Sequence, residues 1–218
     1  MIADAPLRSA ARKALRPGPV TELLTRLSLT RLNARLGLAF DIGVALVLLG
    51  AGVRTATLGA LGAAGVVTLG LLLFSLVEYG LHRWLFHGRP NSMRDGHDQH
   101  HVDPQGFGAL PFFLPPLGML ALAGLLALVV PAGAALLLSG ALAAGYAAYG
   151  LAHTLIHAVR FRAPMARRWA ASHHIHHCHP DSNFGVTTPL WDILFGTHRA
   201  PAQQRRTVVL PAARRTTP

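Results

Sequence analysis

Four long apolar segments are the feature that most restricts how this chain can fold. They cover residues 38–53, 56–81, 110–130 and 132–157 and contain two acidic side chains but no lysine or arginine. A bilayer interior offers no water to backbone groups, so a spanning segment must be a helix or part of a closed barrel. At 1.5 Å per residue the last three segments match a ~30 Å hydrocarbon core, whereas the first covers only about 24 Å and could either cross or re-enter. We therefore predict an all-α, multi-pass membrane bundle of about four spanning helices.

The composition supports a membrane protein and argues against nucleic acid as a partner. Hydrophobic residues make up 51% of the chain and charged residues 13%, while soluble domains are about a quarter charged. The net charge of +11 could serve nucleic-acid binding, but no nucleic-acid motif is present. The cations flank the apolar segments, which suits anionic lipid headgroups. The single cysteine, Cys178, excludes an internal disulfide.

The distribution of lysine and arginine predicts which face of the membrane the polar segments occupy. Nineteen of the twenty cations lie in residues 1–37, between the second and third apolar segments, or after residue 157; only Arg54 lies between the first two. The positive-inside rule places the nineteen in the cytoplasm. Every histidine cluster described below falls on the same side. We expect an integral membrane protein with a cytoplasmic histidine-rich helical cap, in the plasma membrane if the protein is bacterial.

These segments suggest three parts of the chain. Residues 1–37 form a basic tail with an amphipathic helix over 20–36, where leucines alternate with arginines near helical spacing. This helix could lie on the membrane surface or be a solvated linker. Residues 38–198 form the membrane domain that carries the histidines, and residues 199–218 form a basic C-terminal tail.

Twelve of the thirteen histidines lie between positions 82 and 179, and their spacing suggests that they converge. Two triplets consist of a histidine, two other residues and two adjacent histidines. Positions i, i+3 and i+4 share a helix face, so each triplet could aim three imidazoles at one point. A pair at i, i+4 ends the fourth apolar segment. The triplets are His97, His100, His101 and His173, His176, His177, and the pair is His153, His157.

A further pair, His82 and His87, has a less regular spacing. On an ideal helix with 3.6 residues per turn these two positions are about 140° apart. Either the helix is deformed there or the two rings approach a common site from different sides. Glu78 lies one turn before His82 and could accept a hydrogen bond from a ligand imidazole, although a carboxylate at headgroup level is an equal alternative.

Together these ten histidines predict a metal site. Imidazole suits iron, zinc, copper and nickel, and ten donors exceed the three or four protein ligands of one zinc ion. Two metal ions with about five nitrogens each fit the number better. The chain lacks the HExxH pattern of zinc proteases. We expect no catalytic residue apart from the ligands. Candidate supporting residues are Glu78, His174, His179, Asp181 and Asn183.

The histidine motifs resemble those of a known membrane enzyme superfamily. They are HRWLFH (82–87), HDQHH (97–101), HTLIH (153–157), HHIHH (173–177) and the following NFGVTTPLWDILFGTH (183–198). Together they resemble the fatty acid hydroxylase/sterol desaturase superfamily over roughly residues 70–198, nearest the fatty acid hydroxylase branch. The resemblance implies a membrane oxygenase in which the same ten histidines hold two metal ions. These are usually described as iron, although zinc can occupy such sites in purified samples.

This resemblance implies O2-dependent hydroxylation of an unactivated C–H bond in a lipid, most simply in a fatty acyl chain. Hydroxylation or desaturation of a sterol or carotenoid by the same superfamily is an alternative. An alternative from another class is a non-catalytic metal-binding membrane protein. Some superfamily members carry a fused haem domain, but nothing in this chain resembles one. Electrons are therefore expected from a separate electron-transfer protein.

Overall fold

The computed structural model describes residues 19–200, and within that range all regular secondary structure is helical. The α-helices are α1 Pro19–Ser28, α2 Arg31–Thr55, α3 Ala60–Gly80, α4 Ser92–Val102, α5 Leu114–Leu126, α6 Ala132–Ala158, α7 Pro164–Cys178 and α8 Leu190–Leu194. A π-helical segment, Leu81–Phe86, continues α3. The predicted all-α class is confirmed. Residues 1–18 of the predicted N-terminal tail and residues 201–218 of the predicted C-terminal tail lie outside the described residues.

The beginning of the described chain differs from the prediction, because residues 20–36 do not form one helix. Helix α1 ends at Ser28, and Thr30 starts a new helix as its N-cap: its hydroxyl oxygen accepts a hydrogen bond from Asn33 N at 3.1 Å. Such a cap satisfies a backbone donor that would otherwise be free. Helix α2 therefore starts seven residues before the predicted segment 38–53. With 25 residues it is about 37 Å long, enough to cross a bilayer.

Three helices of the described chain are long and apolar enough to span a membrane. They are α2, α3 with its π-helical continuation, and α6. Large apolar side chains on the first two are exposed, among them Leu46 (66%), Val47 (65%) and Leu61 (89%). Exposing so many apolar side chains to water would cost free energy, so these helix faces are suited to contact with lipid. The chain is a membrane protein.

The third predicted span, residues 110–130, is helical only over the 13 residues of α5, about 20 Å. Between Leu110 and Gly133 the chain nevertheless passes from one end of α2 to the other. At one end the Asn33 side chain donates to Leu110 O at 3.0 Å and accepts from Phe112 N at 2.9 Å. At the other end Gly133 packs against Ala56 so closely that an added Cβ would lie 2.4 Å from Ala56 Cα. Turns after Leu126 complete the length that the short helix does not cover.

Helix α6 lies at the centre of the bundle and packs closely on both of the first two long helices. A Cβ added to Gly140 would lie 2.8 Å from Leu49 N in α2, and one added to Gly70 in α3 would lie 2.5 Å from Ala141 Cβ. Small residues thus permit near contact between helix backbones, as in many membrane bundles. Because α3 and α6 both end at the same side of the bundle, their terminal histidines lie close together there, with α4 and α7 packed against them.

Candidate metal centre

All ten histidines predicted as ligands converge at this end of the bundle, in two groups of five. The first group is His82, His87, His97, His101 and His176, and the second group is His100, His153, His157, His173 and His177. Within each group the candidate ligand atoms all lie within 4.8 Å of one another. The two groups are in contact, since the rings of His101 and His177 stack with centroids 4.4 Å apart.

Each triplet divides between the two groups, so the expectation that a triplet aims at one point is wrong. Helix α4 gives His97 and His101 to the first group and His100 to the second. Helix α7 likewise divides, giving His176 to the first group and its other two triplet histidines to the second. Adjacent residues on an α-helix point about 100° apart, so two neighbouring histidines cannot face one point. A helix that lies between two sites can instead serve both.

The spacing of the nitrogen atoms fits a metal ion in each group. In the first group the Nε2 atom of His97 lies 3.0 Å from those of His82 and His87 and 3.1 Å from that of His101. In the second group His173 Nε2 lies 3.0 Å from His157 Nε2 and 3.1 Å from His177 Nε2. Metal–nitrogen bonds of about 2.1 Å at right angles would separate two ligands by about 3.0 Å.

One nitrogen of the second group gives independent support. His100 Nε2 is buried and has no hydrogen-bond partner among the described residues. A buried polar atom without a partner carries a free-energy cost and requires an explanation. Since this nitrogen belongs to a group of five converging imidazoles, a bound metal ion is the partner that the donor set fits.

The irregular spacing of His82 and His87 is explained by the π-helical segment between them. His87 N donates to His82 O at 3.2 Å, a bond between residues five apart instead of four. This wider turn brings the rings to a centroid distance of 5.2 Å with planes 34° apart. Of the two alternatives, local deformation of the helix is the correct one, and such π-helical turns are frequent at functional sites.

Two first-group imidazoles are oriented by backbone carbonyls that follow α7. His82 Nδ1 donates to Phe184 O at 2.5 Å, and His176 Nδ1 donates to Ser182 O at 2.8 Å. Because a carbonyl can only accept, the proton resides on Nδ1 in both rings. The Nε2 lone pair is then free for a metal ion, which is the usual arrangement around ligand histidines.

Two buried carboxylates hold the chain segment that supplies these carbonyls. Glu78 accepts hydrogen bonds from Val186 N at 2.6 Å and Thr187 N at 2.9 Å, as well as from the Thr187 hydroxyl. Asp192, only 1% exposed, accepts from Phe184 N and Gly185 N, both at 2.8 Å. Glu78 therefore supports the site through this backbone segment, and no described imidazole is bonded to it.

Asp192 is a buried charged residue of this site that the sequence analysis did not identify. Its only signal in the sequence is an acidic side chain inside the apolar run LWDIL. An acid in such a run is costly to bury without partners. In the structure its partners are backbone donors seven and eight residues earlier, together with the Thr197 hydroxyl, which donates at 2.7 Å.

The other candidate supporting residues have different surroundings. Asn183 adopts φ = 54°, a left-handed conformation that asparagine tolerates better than most residues. Its side chain donates to Ser172 O at 3.1 Å and accepts from Arg199 N at 2.7 Å, which joins α7 to the C-terminal end of the described chain. His174, His179 and Asp181 are exposed. Among these three, His174 has a ring contact with a candidate ligand, His157.

The surroundings of the rings keep them neutral. Burial, reinforced by neighbouring imidazoles, lowers the pKa of His176 and of His177 to about 3. The same causes lower the pKa of His100 to about 4 and that of His97 to about 2. A metal ion needs the unprotonated imidazole. At neutral pH these nitrogens are therefore available without first losing a proton.

A cavity of about 790 Å³ leads to both groups from outside, and its wall includes His87 and His101 from the first group and His177 from the second. Arg83 lies on its wall, with its guanidinium 5.6 Å from the Trp84 ring centroid and 5.9 Å from that of Phe184. The wall thus combines apolar rings with charged groups beside the candidate metal ligands.

Comparisons with known proteins agree with the motifs. The model of the family described as fatty acid hydroxylase matches residues 67–197. Human fatty acid 2-hydroxylase is 34% identical in an alignment 154 residues long that covers 61% of this chain and 39% of that protein. Dihydroceramide fatty acyl 2-hydroxylase FAH2 of Arabidopsis thaliana is 34% identical in an alignment 146 residues long that covers 61% of this chain and 60% of that protein. The chain thus spans less than two thirds of the length of these relatives.

A solved structure has the same fold. The hydroxylase domain visible in full-length Scs7p superposes with a TM-score of 0.64 and 25% sequence identity, covering 82% of this chain and 70% of that one. The resemblance to the fatty acid hydroxylase branch is confirmed, because the family model matches well over half of the chain. The chain belongs to the fatty acid hydroxylase family.

Proposed function

We propose that this protein is an O2-dependent membrane oxygenase that hydroxylates an unactivated C–H bond of a lipid, most simply in a fatty acyl chain. The observation that carries the proposal is the pair of five-nitrogen groups at one end of an apolar helical bundle. The names of the relatives, a fatty acid 2-hydroxylase and a dihydroceramide fatty acyl 2-hydroxylase, support acyl chains as the substrate class.

In this proposal the ten histidines are the metal ligands, five for each of two ions, and no other side chain is catalytic. Iron is the metal we propose, with zinc as a replacement in purified samples. A bound iron pair would supply the activation of O2, which amino-acid side chains cannot provide. The domain assignment remains as proposed from the sequence, with a membrane domain over 38–198 between basic tails at 1–37 and 199–218.

The protein's own residues have three tasks. The carbonyls of Phe184 and Ser182 hold two imidazoles with Nε2 directed inward. Burial of His82, His173 and His176, each at most 2% exposed, keeps water from the ligands. The cavity wall formed by Trp84 and Phe184 gives an acyl chain an apolar surface beside the candidate ligands. Alignment of a C–H bond depends on this wall, since the substrate offers no reactive polar group there.

We further propose that the chain crosses the membrane several times with the histidine groups at the cytoplasmic face. The even number of long helices before His82 and the excess of cations on that side support this orientation. The partners are then the lipid substrate, the bilayer and a separate electron-transfer protein, with no role for nucleic acid.

Metal analysis followed by single turnover tests the proposal. Anaerobically purified protein should contain two metal ions per chain, and after reduction with dithionite it should transfer one atom of ¹⁸O2 to an acyl lipid, detected by mass spectrometry. His176→Ala should lose metal and product, whereas His198→Ala, which removes an exposed histidine outside both groups, should retain them. Metal without product would support the non-catalytic alternative, and product only from sterols or carotenoids would correct the substrate class.

A further inference from the structure

We propose that a concave, arginine-rich surface at the start of α7 is the docking site of an acidic one-electron carrier protein. The inference rests on the proposed function, which requires external electrons. We call this surface the arginine face and define it by Arg160, Arg167, Arg168 and His174. These four residues line a depression of about 520 Å³, together with Val159, Phe161, Pro164, Ala170 and Ala171.

The charge of the arginine face is uncompensated within the described residues. All three arginines are exposed, and no carboxylate lines the depression. The ion pairs found in residues 19–200 are Arg26 with Glu22 and Arg94 with Asp98, both elsewhere. A surface with one sign of charge attracts partners of the opposite sign and accelerates their association. The complementary partner is therefore acidic.

The second observation is the proximity of this surface to the second histidine group. The exposed ring of His174 meets the ring of His157 edge to face, with centroids 5.7 Å apart and planes at 73°. His157 Nε2 in turn lies 3.0 Å from His173 Nε2. Only the imidazole of His174 thus lies between a carrier bound to the arginine face and the candidate ligand His157. Electrons therefore have a short route from the carrier to the second histidine group.

The larger cavity beside the first group does not have this character. Its wall carries Asp98 and Asp181 as well as Arg83 and Arg94, so the two signs of charge balance. The arginine face also lacks the exposed aromatic rings of a membrane-surface site. Phe161 packs inward against Trp169, with ring centroids 5.6 Å apart. These differences favour a protein carrier on the arginine face over a lipid surface.

The electron balance of the reaction requires such a carrier. Hydroxylation converts R–H, O2, two electrons and two protons into R–OH and water: one oxygen atom forms the new C–O bond and the other is reduced to water. The substrate supplies only two of the four electrons that O2 accepts. Two reduced one-electron carriers, each oxidised once, supply the other two.

The test uses a reduced plant-type [2Fe–2S] ferredoxin as the acidic probe and the full chain in neutral phosphatidylcholine nanodiscs. An Arg167→Glu/Arg168→Glu variant should lose about tenfold or more in the association rate at low salt, and the difference should shrink as ionic strength rises. The matched control Arg89→Glu/Arg199→Glu makes the same change in net charge at exposed residues outside the depression. It should remain close to the wild type.

A His174→Gln variant should bind ferredoxin as tightly as the wild type but oxidise it several-fold more slowly. Dithionite with methyl viologen, which needs no docking, should drive hydroxylation equally in the wild type, the arginine-face variant and its Arg89→Glu/Arg199→Glu control. Absence of product with dithionite would count against the proposed function, whereas the rates of association with ferredoxin test docking alone.

Equal association rates with ferredoxin at low salt in the arginine-face variant and its control would overturn the docking proposal. The docking proposal would also be overturned if the only defect of the Arg167→Glu/Arg168→Glu variant were a lost preference for phosphatidylserine nanodiscs. The arginine face would then bind lipid headgroups. An unchanged rate of ferredoxin oxidation in His174→Gln would overturn the role given to that residue.

Discussion

Replacing Asp192 with asparagine should weaken the binding of one metal ion far more than the binding of the other. In the folded chain Asp192 Oδ1 accepts from Phe184 N and the Thr197 hydroxyl, and Oδ2 accepts from Gly185 N. Asparagine can keep the two bonds at Oδ1, but its NH2 group would face the Gly185 N–H. One charge-assisted bond is lost and one buried donor is left without a partner, which together cost about 2–4 kcal/mol.

The consequence for metal binding follows from what this segment supports. The carbonyls of Phe184 and Ser182 orient only first-group rings, His82 and His176. Loss of such outer partners usually lowers metal affinity about 10–100-fold. We therefore expect Asp192→Asn to weaken metal binding at the first group by this factor and to leave the second group close to the wild type.

A competitive metal titration of the metal-free protein, together with chemical unfolding in detergent, measures both effects. Asp95→Asn is the control, because Asp95 is exposed in the first turn of α4 and its loss should cost less than about 1 kcal/mol. The role assigned to this carboxylate would be refuted if Asp192→Asn bound two metal ions with wild-type affinities and unfolded with the wild-type free energy.

Three further predictions concern the ligands, the pH and the bundle. His87→Ala and His157→Ala should each reduce the bound metal from about two ions to about one, from different groups, as elemental analysis would show; loss of both ions in each variant would contradict two separate groups. In the folded metal-free protein the pKa of His87 and of His100 is lowered from 6.5 to about 4. The unfolded chain therefore binds more protons between these values, and stability should fall as pH drops from 6.5 to about 4; a melting temperature that does not fall as the pH drops across this range would contradict burial of these rings. Gly140→Ala, whose Cβ would lie 2.8 Å from a backbone nitrogen of α2, should cost about 1–3 kcal/mol. Gly150→Ala in the same helix has open space at its Cβ and should be neutral or stabilising by up to about 1 kcal/mol; equal melting temperatures for the two variants would argue against close packing of α6.

The sequence analysis identified the ten histidines because their spacing reports local helix geometry. Positions three and four apart share a face, and apolar runs of spanning length require helices. It failed where local geometry was not decisive. The break at Thr30 depends on a capping hydrogen bond to Asn33, and α5 ends earlier than its apolar run predicts.

Family, helical class and the identity of the clustered imidazoles are thus determined by the sequence itself, because each follows from periodicity or from short motifs. The division of each triplet between two groups, the π-helical turn that aligns His82 with His87, and the partners of Glu78 and Asp192 were decided only by the tertiary structure. The physical reason is that the division of the triplets and the partners of Glu78 depend on contacts between segments up to about a hundred residues apart. The π-helical turn and the partners of Asp192 involve residues closer in the chain, but local propensity does not indicate which turn ends a helix or which backbone amide a buried carboxylate faces.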